Sequence, residues 1–340
     1  MLAILADDLT GALDAGAPFA ARGMHVEIAL CLESIGEALR EGPDVVSISL
    51  GTRELNEADA SLRTSATLAS LPSGTRLFKK IDSRMKGNIA AELDSTPYTK
   101  ALVAPAIPEF DRRVVTGHIE GFGIDEPISI TSRLASHAAR AVVPDVRSQS
   151  DMRQWLEWAE RGNVDLLVGA RGLAEALAER LTSSACVRRA EIPGCPTLLV
   201  IGSRDPITLR QIEELRAAHP LQYFAAPNGK LKECLSNMPV VTVVQAVPGE
   251  EVVTAADVSQ ALADSVFSGE NNTTLVLSGG ATAEAVLGTL RIKRFRLIGE
   301  CLPGLGLAHA HGRCIIAKSG GFGAPDTLVK IVDEILRKMD

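Results

Sequence analysis

The sequence predicts an α/β protein of two domains, each with a mainly parallel sheet flanked by helices and with the active site in the cleft between the domains. Three observations lead there. The chain has 340 residues, more than one hydrophobic core usually serves. Short apolar runs ending in polar loops alternate with longer Ala-rich or amphipathic stretches, the pattern of strand–loop–helix units that lay down a parallel sheet. A turn-rich seam at 183–196, including Pro193-Gly194-Cys195-Pro196, separates two such runs and divides the chain into residues 1–190 and 191–340.

The elements follow in order. Residues 1–6 are a short apolar run, read as a buried strand, and the Ala-rich stretch 11–22, closed by Gly23, reads as a helix. A strand at 25–32, a helix at 34–41, a strand at 45–50, a helix at 54–71, and strands at 76–81 and 101–106 continue the run. Residues 107–150 hold Pro108, Pro127, Pro144 and several glycines, so a loop with a short hairpin is expected. A helix at 152–161, a strand at 164–169 and a helix at 172–181 close the first half. Trp155 and Trp158, at helical spacing, read as core or interface packing and not as a stacking platform for bases. Beyond the seam come a strand at 197–201, a helix at 208–217, a strand at 240–246, a helix at 254–267 and a strand at 274–277. A helix ending at 290, a strand at 314–317 and a final helix at 326–339 complete the chain.

Composition excludes several function classes. Residues AVILMFWYC make up 46% and charged residues 23%, the proportions of a folded globular protein. Lys and Arg number 35 against 42 Asp and Glu, a net charge of −7, and aromatics are only 4%. A basic stripe with stacking aromatics, the mark of a nucleic-acid binder, is missing. The six cysteines, at 31, 186, 195, 234, 301 and 314, form no C-x-x-C pair and read as free buried thiols. Residues 1–6 run straight into Asp7-Asp8 with no basic n-region, and no long clean apolar stretch occurs, so neither a signal peptide nor a membrane span is expected. The expected setting is the cytoplasm.

The informative residues are the polar loops at strand ends, where open α/β sheets gather ligands. Asp7-Asp8-Leu9-Thr10-Gly11 puts two carboxylates between a strand and a helix start. Unpaired helix N–H groups there suit an anion and the carboxylates suit hydroxyls or a metal, although a plain capping Asp would look the same. Residues 79–86, Lys79-Lys80-Ile81-Asp82-Ser83-Arg84-Met85-Lys86, hold four cations and one acid, followed by Gly87-Asn88. They could hold a carboxylate or a transferring phosphoryl group, or could be a solvated basic loop. Arg53 ends another strand, and Arg112 or Arg113 could reach the same place.

In the second half, Gly202-Ser203, Gly279-Gly280-Ala281-Thr282 and Lys318-Ser319-Gly320-Gly321-Phe322-Gly323 each follow a strand, and Pro303-Gly304 makes a further turn. Glycines let backbone N–H groups cradle phosphates, so these loops fit a nucleotide site. None matches the P-loop pattern, and 6–11 is no dinucleotide fingerprint. His309-x-His311 has no further ligand at metal spacing, so no metal site is assigned.

Taken together, these motifs resemble those of the four-carbon acid sugar kinases, formerly a domain of unknown function. The resemblance is carried by Ala6-Asp7-Asp8-Leu9-Thr10-Gly11-Ala12, Lys79-x-x-Asp82-Ser83, Gly87-Asn88, and Ala104-Pro105-Ala106-x-Pro108-Glu109. It continues through Gly117-His118, Gly202-Ser203 with Thr208 and Gln211, Gly279-Gly280-x-Thr282, Gly299-Glu300-x-x-Pro303-Gly304 and 318–323, in the expected order from about residue 3 to 335. It implies an amino-terminal domain binding a threonate-, erythronate- or 3-oxo-tetronate-type acid and a carboxyl-terminal domain binding ATP. The reaction implied is phosphoryl transfer to the acid's terminal hydroxyl, with Mg²⁺ arriving on the nucleotide. Two departures stand out. Where the family commonly reads Asp-Ser-Thr-Leu-Arg-Gly, this chain has Asp82-Ser83-Arg84-Met85-Lys86-Gly87, and its middle is short.

On this resemblance Asp8 is the expected base, with Asp7 able to exchange roles with it and Asp82 next in line. Thr10, Arg53, Lys79, Ser83, Lys86 and Arg112 would bind the acid. Gly202, Ser203, Gly279, Gly280, Thr282, Gly304, Lys318, Ser319, Gly320, Gly321 and Gly323 would bind ATP, with Thr282 and Ser319 donating hydroxyl bonds. The domains would close to bring donor to acceptor. The expected partners are the small acid and ATP, with no nucleic acid and no membrane, and a homodimer is compatible. Two other readings carry distinct tests: a non-catalytic sugar-acid or nucleotide-binding module would bind ligands without releasing ADP, and a nicotinamide-dependent oxidoreductase would change its cofactor's absorbance.

Overall fold

A computed structural model of the chain describes residues 1–182, 186–231, 235, 240–266 and 273–339. It separates into two compact units, Met1–Arg188 and Arg189–Asp340.

The first unit runs β1 (Leu2–Ala6), α1 (Leu9–Ala20), β2 (Val26–Ala29), α2 (Leu32–Arg40), β3 (Val45–Ser49), α3 (Glu57–Ala69), β4 (Arg76–Lys80), α4 (Ile89–Asp94) and β5 (Ala101–Ala104). It continues with β6 (Arg112–Val115), β7 (His118–Gly121), β8 (Ile128–Ser129), α5 (Ile130–Leu134), β9 (Ala141–Val142), α6 (Gln149–Arg161), β10 (Leu166–Gly169) and α7 (Arg171–Thr182). The main sheet has the order β2-β3-β1-β4-β10-β5-β9, parallel throughout. Every residue of β1 and β3 is buried, as expected of central parallel strands covered on both faces. On one face Ala3, Leu5, Val46 and Ile48 pack with Ile35 and Ala38 of α2 and Leu68 of α3. On the other, Ser47 Oγ donates to the Ala12 carbonyl of α1, and α1 packs on α7.

From β1 the chain moves through α1 toward β2, and from β4 it moves through α4 the opposite way toward β5. The crevice beyond the carboxyl ends of β1 and β4 is therefore a topological switch point, where such sheets bind ligands.

The second unit runs β11 (Thr197–Ile201), α8 (Pro206–Ala218), β12 (Gln222–Pro227), β13 (Val241–Val247), α9 (Ala255–Ser265), β14 (Thr274–Ser278), α10 (Gly280–Thr289), β15 (Arg294–Leu302), β16 (Leu305–Ala310), β17 (Arg313–Lys318) and α11 (Thr327–Arg337). Its sheet order is β12-β13-β11-β14-β17-β16-β15. The first five strands are parallel, and β15 and β16 return antiparallel on β17. Leu199, Ile201, Val243, Val276 and Ile316 pack against Ile212 and Leu215 of α8 and Leu328, Ile331 and Ile335 of α11. The switch point here lies between β11, whose helix leads toward β12, and β14, whose helix leads toward β15.

Both units have the expected α/β layering, and the second adds an antiparallel edge. Four elements depart from expectation. Helix α4 is too short to show a 3.6-residue period. Strand β12 is an edge strand whose pattern is broken by exposure and by Pro227. The β15–β16 pair replaces an expected loop, and its signal, the buried alternation Phe295, Leu297, Cys301, was present in the sequence. The stretch 107–150 holds the small antiparallel sheet β6-β7-β8, not a single hairpin.

Of the five described cysteines, all free, only Cys301 and Cys314 are buried, and burial pushes both thiols up to about 12. Cys234 and Phe267 lie outside the described residues. Trp155 and Trp158 meet edge to face, their ring centroids 5.4 Å apart, with Trp158 exposed under Lys100 and not in the core. Among the described residues, no helix is long and apolar enough to cross a membrane.

Candidate active site

Register brings the first site together. Ala6 of β1 lies opposite Ser49 of β3 and Lys80 of β4, so the loops that follow, 7–8, 50–53 and 81–87, share one edge. The Thr52 amide donates to the Asp7 carbonyl, and Asn88 Nδ2 donates to the carbonyls of Thr52 and Leu55. These bonds tie the three loops into one frame.

At its centre Arg53 stands among three acids. Its Nε and Nη2 donate to Asp7 Oδ2 and Oδ1 at 2.7 and 3.0 Å, Nη1 pairs with Asp8 Oδ2 at 2.5 Å, and Nη2 lies 3.8 Å from Asp82 Oδ2. Asp8 is also the N-cap of α1: its Oδ1 accepts the Gly11 amide and its Oδ2 the Thr10 hydroxyl. Burial opposes ionisation of both carboxylates, but the outcomes differ. For Asp7 the two-pronged Arg53 contact, with Lys79 and Lys80 behind it, outweighs burial and lowers its pKa. For Asp8 burial, reinforced by the negative charge on Asp7, outweighs Arg53 and raises it. Two adjacent carboxylates with opposite tendencies are the arrangement that separates a permanent anion from a group able to take a proton. Burial disfavours the Arg53 charge, but Asp7 and Asp8 outweigh it and raise its pKa.

Gly87 is needed on steric grounds. Its φ is +88°, and a Cβ there would stand 2.9 Å from Asp7 Oδ2. Asp82 stabilises its own turn, Oδ1 accepting the Arg84 amide at 2.8 Å, and Ser83 is buried under Arg112, whose Nη1 donates to Ser83 Oγ at 2.5 Å. Lys86 is exposed on the loop.

Lys79 is placed differently from the expectation that it holds the acid. Alternation along β4 sends it to the α4 side, where its fully buried ammonium pairs with Glu92 Oε2 at 2.8 Å and donates to the carbonyls of Leu5 and Lys80. Glu92 in turn accepts the Thr52 hydroxyl. Lys79 is thus a structural cation beneath the frame. Its neighbour Lys80, not singled out from the sequence, faces α1 instead, 3.9 Å from Asp14 and close beside Gly11. The period of two in a strand was the signal that separates these lysines.

In the second unit, Ile201, Ser278 and Lys318 are opposed across β11, β14 and β17, so the three glycine loops again share an edge. The Pro303-Gly304 turn falls at the same end, because Leu302 opposes Leu305 and Leu305 opposes Lys318. Close packing explains the glycines: a Cβ at Gly202 would lie 1.8 Å from Thr282 Oγ1, one at Gly320 2.2 Å from Ser203 Oγ, and one at Gly323 2.7 Å from Thr327 Oγ1. Gly279, at φ +105°, starts α10 without a side-chain cap, which leaves first-turn N–H groups for an anion such as a nucleotide phosphate. Gly280 follows in that turn, and Ser319 and Gly321 are half-buried in the loop after β17.

Lys318 is buried beneath this loop, its Nζ donating to Thr208 Oγ1 and to the carbonyls of Ser319 and Gly320. Burial pushes its amine down to about 8, partly offset by Asp205. The Thr282 hydroxyl is also buried, 3.5 Å from Ser259 Oγ, and so braces Gly202. The buried Ser278 hydroxyl has no hydrogen-bond partner among the described residues, a polar group that a bound nucleotide could satisfy. Among the described residues no group of three or more His, Cys, Asp or Glu could hold a metal ion; the one trio of acids at a strand edge is taken up by Arg53.

A family model described as a sugar-binding N-terminal domain matches residues 2–123, and one described as a nucleotide-binding C-terminal domain matches 198–328. A D-threonate kinase of Cupriavidus necator is 26% identical, with 96% of this chain and 95% of that protein aligned. A D-threonate kinase of Bordetella bronchiseptica is 23% identical over 98% and 97% of the two chains. Among solved structures, a Salmonella typhimurium LT2 protein provisionally described as a tRNA synthase superposes with a TM-score of 0.74 at 20% identity, covering 97% of this chain and 98% of that one, a likeness of fold alone.

The chain thus joins a sugar-binding to a nucleotide-binding domain, and the class it falls in is that of ATP-dependent phosphotransferases. It belongs to the family of four-carbon acid sugar kinases.

Lys79→Met leaves Glu92 buried and unpaired and is expected to cost about 3–5 kcal/mol in urea unfolding. The double variant with Glu92→Leu should recover most of that; a K79M protein of unchanged stability would remove the structural role. Gly202→Ala is expected to weaken ATP binding, read by calorimetry, by about tenfold or more, while leaving binding of a four-carbon acid intact.

Proposed function

We propose that the chain transfers the γ-phosphoryl group of ATP to the terminal hydroxyl of a four-carbon sugar acid of the threonate, erythronate or 3-oxo-tetronate type. Relatives named for D-threonate, D-erythronate and 3-oxo-tetronate support the substrate class. The observation that carries the mechanism is the Asp7–Asp8 pair, divided in character by one guanidinium.

Asp7 stays ionised and holds Arg53. Asp8 Oδ1 accepts one hydrogen bond among the described residues, from Gly11, so its second lone pair can receive the substrate hydroxyl. As that oxygen bonds to the γ-phosphorus, its proton passes to Asp8, the bond from phosphorus to the β–γ bridging oxygen breaks, and ADP leaves with the electron pair. Asp82 orients the 82–87 loop. In the second unit, the uncapped start of α10 and the amides after Lys318 would take the phosphates, with the Lys318 charge beneath them. Mg²⁺ would be carried by the nucleotide's own oxygens and water, since the acids at the first site are engaged by Arg53. The cytoplasm, where ATP is supplied, is the proposed setting.

An ADP-release screen over D-threonate, D-erythronate, L-erythronate and a 3-oxo-tetronate tests the reading; no ADP with any of them would overturn it. Asp8→Asn is expected to lower kcat by about a hundredfold or more with ATP affinity unchanged.

Because the Asp8 pKa is raised, its proton-accepting form is lost as pH falls through a value above the ordinary aspartate range of about 4. The kcat profile should therefore bend down on its acid side above that pH. Arg53→Gln, which removes the cation favouring the ionised form, should move the bend to still higher pH.

A further inference from the structure

Most cations at the first site have acidic partners. Arg53 is held by Asp7 and Asp8, Lys79 by Glu92, Lys80 faces Asp14, and Arg171 lies 3.6 Å from both Asp14 and Glu109. Two guanidinium groups differ. Arg112 is buried, yet its hydrogen bonds go only to neutral acceptors: Nη1 to Ser83 Oγ at 2.5 Å, and Nε and Nη2 to the Phe122 carbonyl at 3.2 and 2.9 Å. Arg84, half-buried, has no side-chain hydrogen bond or ion pair among the described residues. Both converge on Gly123, where a Cβ would lie 3.3 Å from Arg112 Nη2 and 3.5 Å from Arg84 Nη2.

Gly123 sits at φ +71°, a conformation that favours glycine, and its Cα faces both guanidinium groups. Two like charges held together, one of them buried and without a carboxylate, are costly unless an anion completes the arrangement. Asp82 and Asp14 are near enough to favour the Arg112 charge but make no ion pair with it, and burial and the Arg84 charge together lower its pKa.

We infer that Arg84 and Arg112 form a two-guanidinium clamp for the carboxylate of the acid being phosphorylated. The inference rests on the kinase reading above and identifies the group that recognises the substrate's anionic end. A chain of contacts joins the clamp to the base: Asp8 to Arg53, Arg53 to Asp82, Asp82 directly followed by Ser83, and Ser83 to Arg112. The clamp is thereby linked to the base through the loop after β4, with Arg112 reaching Ser83 from β6 of the small antiparallel sheet. A planar guanidinium presents paired N–H groups that match the two oxygens of a carboxylate. Arg112, fixed by Ser83 and Phe122, supplies the rigid half of the clamp, and Arg84 supplies the adjustable half. Arg84 is also where this chain departs from the small hydroxyl residue common in its family's motif, so the clamp belongs to this chain in particular.

The test uses the full chain and whichever of D-threonate, D-erythronate and L-erythronate it phosphorylates, with threitol as the acceptor lacking a carboxylate. Arg84→Ala should raise KM for the acid by about ten- to hundredfold. It should leave KM for ATP and kcat within about threefold and shrink the preference in kcat/KM for acid over threitol by the same factor as the KM rise. Arg84→Lys, which keeps the charge without the fork, should fall between. Because Arg84 is half-buried and its side chain makes no hydrogen bond or ion pair among the described residues, the fold should tolerate both changes, with unfolding midpoints as the check. If the wild-type chain phosphorylates an acid and R84A shows unchanged KM and unchanged acid preference, the clamp is overturned while the kinase reading stands. If the wild-type chain phosphorylates none of the acids, both fall.

Discussion

The first site depends on one partly buried interaction, the grip of Arg53 on Asp7 and Asp8. Without a cation, two adjacent buried carboxylates would repel each other and one would take up a proton. With a guanidinium bound two-pronged to one and singly to the other, both can sit at the carboxyl end of a central strand with unequal character. Much of the surrounding frame serves this geometry. Thr52 ties the Arg53 loop to the Asp7 backbone, Asn88 ties the next loop to Thr52, and Gly87 lets that loop approach the Asp7 carboxylate. Beneath them the Lys79–Glu92 pair holds the Thr52 hydroxyl in place.

The second unit solves a related problem by different means. There the strand-end loops carry glycines where the first unit carries charges, and those glycines are closely packed against neighbouring side chains. Its one central cation, Lys318, is buried below the loop and bonded to neutral oxygens. The ammonium is therefore held under the loop by a hydroxyl and two carbonyls and is not exposed.

Much of this was legible in the sequence, because strand-end loops in α/β sheets have recognisable chemistry. Asp7-Asp8, Arg53, residues 82–88 and the glycine loops all stand at strand ends on the shared edges of their sheets. What the loop chemistry left out was which face each side chain takes. Lys79 and Lys80 are neighbours in sequence, but the alternation of β4 sends one to Glu92 and the other toward Asp14. Thr282 follows the glycines into the first turn of α10, and there its hydroxyl braces Gly202. Several elements were also missed, β12 and α4 for want of a clean period. Strand β12 is an edge strand, α4 spans under two turns, and β15 and β16 lie where only a turn was expected.

Each cluster is supported by the core of its own unit, Leu5 and Ile48 with α2 and α3 in one, Leu199 and Val276 with α8 and α11 in the other. Substitutions in the strand-end loops of one unit can therefore accumulate without disturbing the packing under the loops of the other. Divergence within such a lineage is accordingly free to concentrate in a few side chains such as the one at position 84, while the glycines of the second unit, hemmed in by neighbouring atoms, stay under tighter constraint.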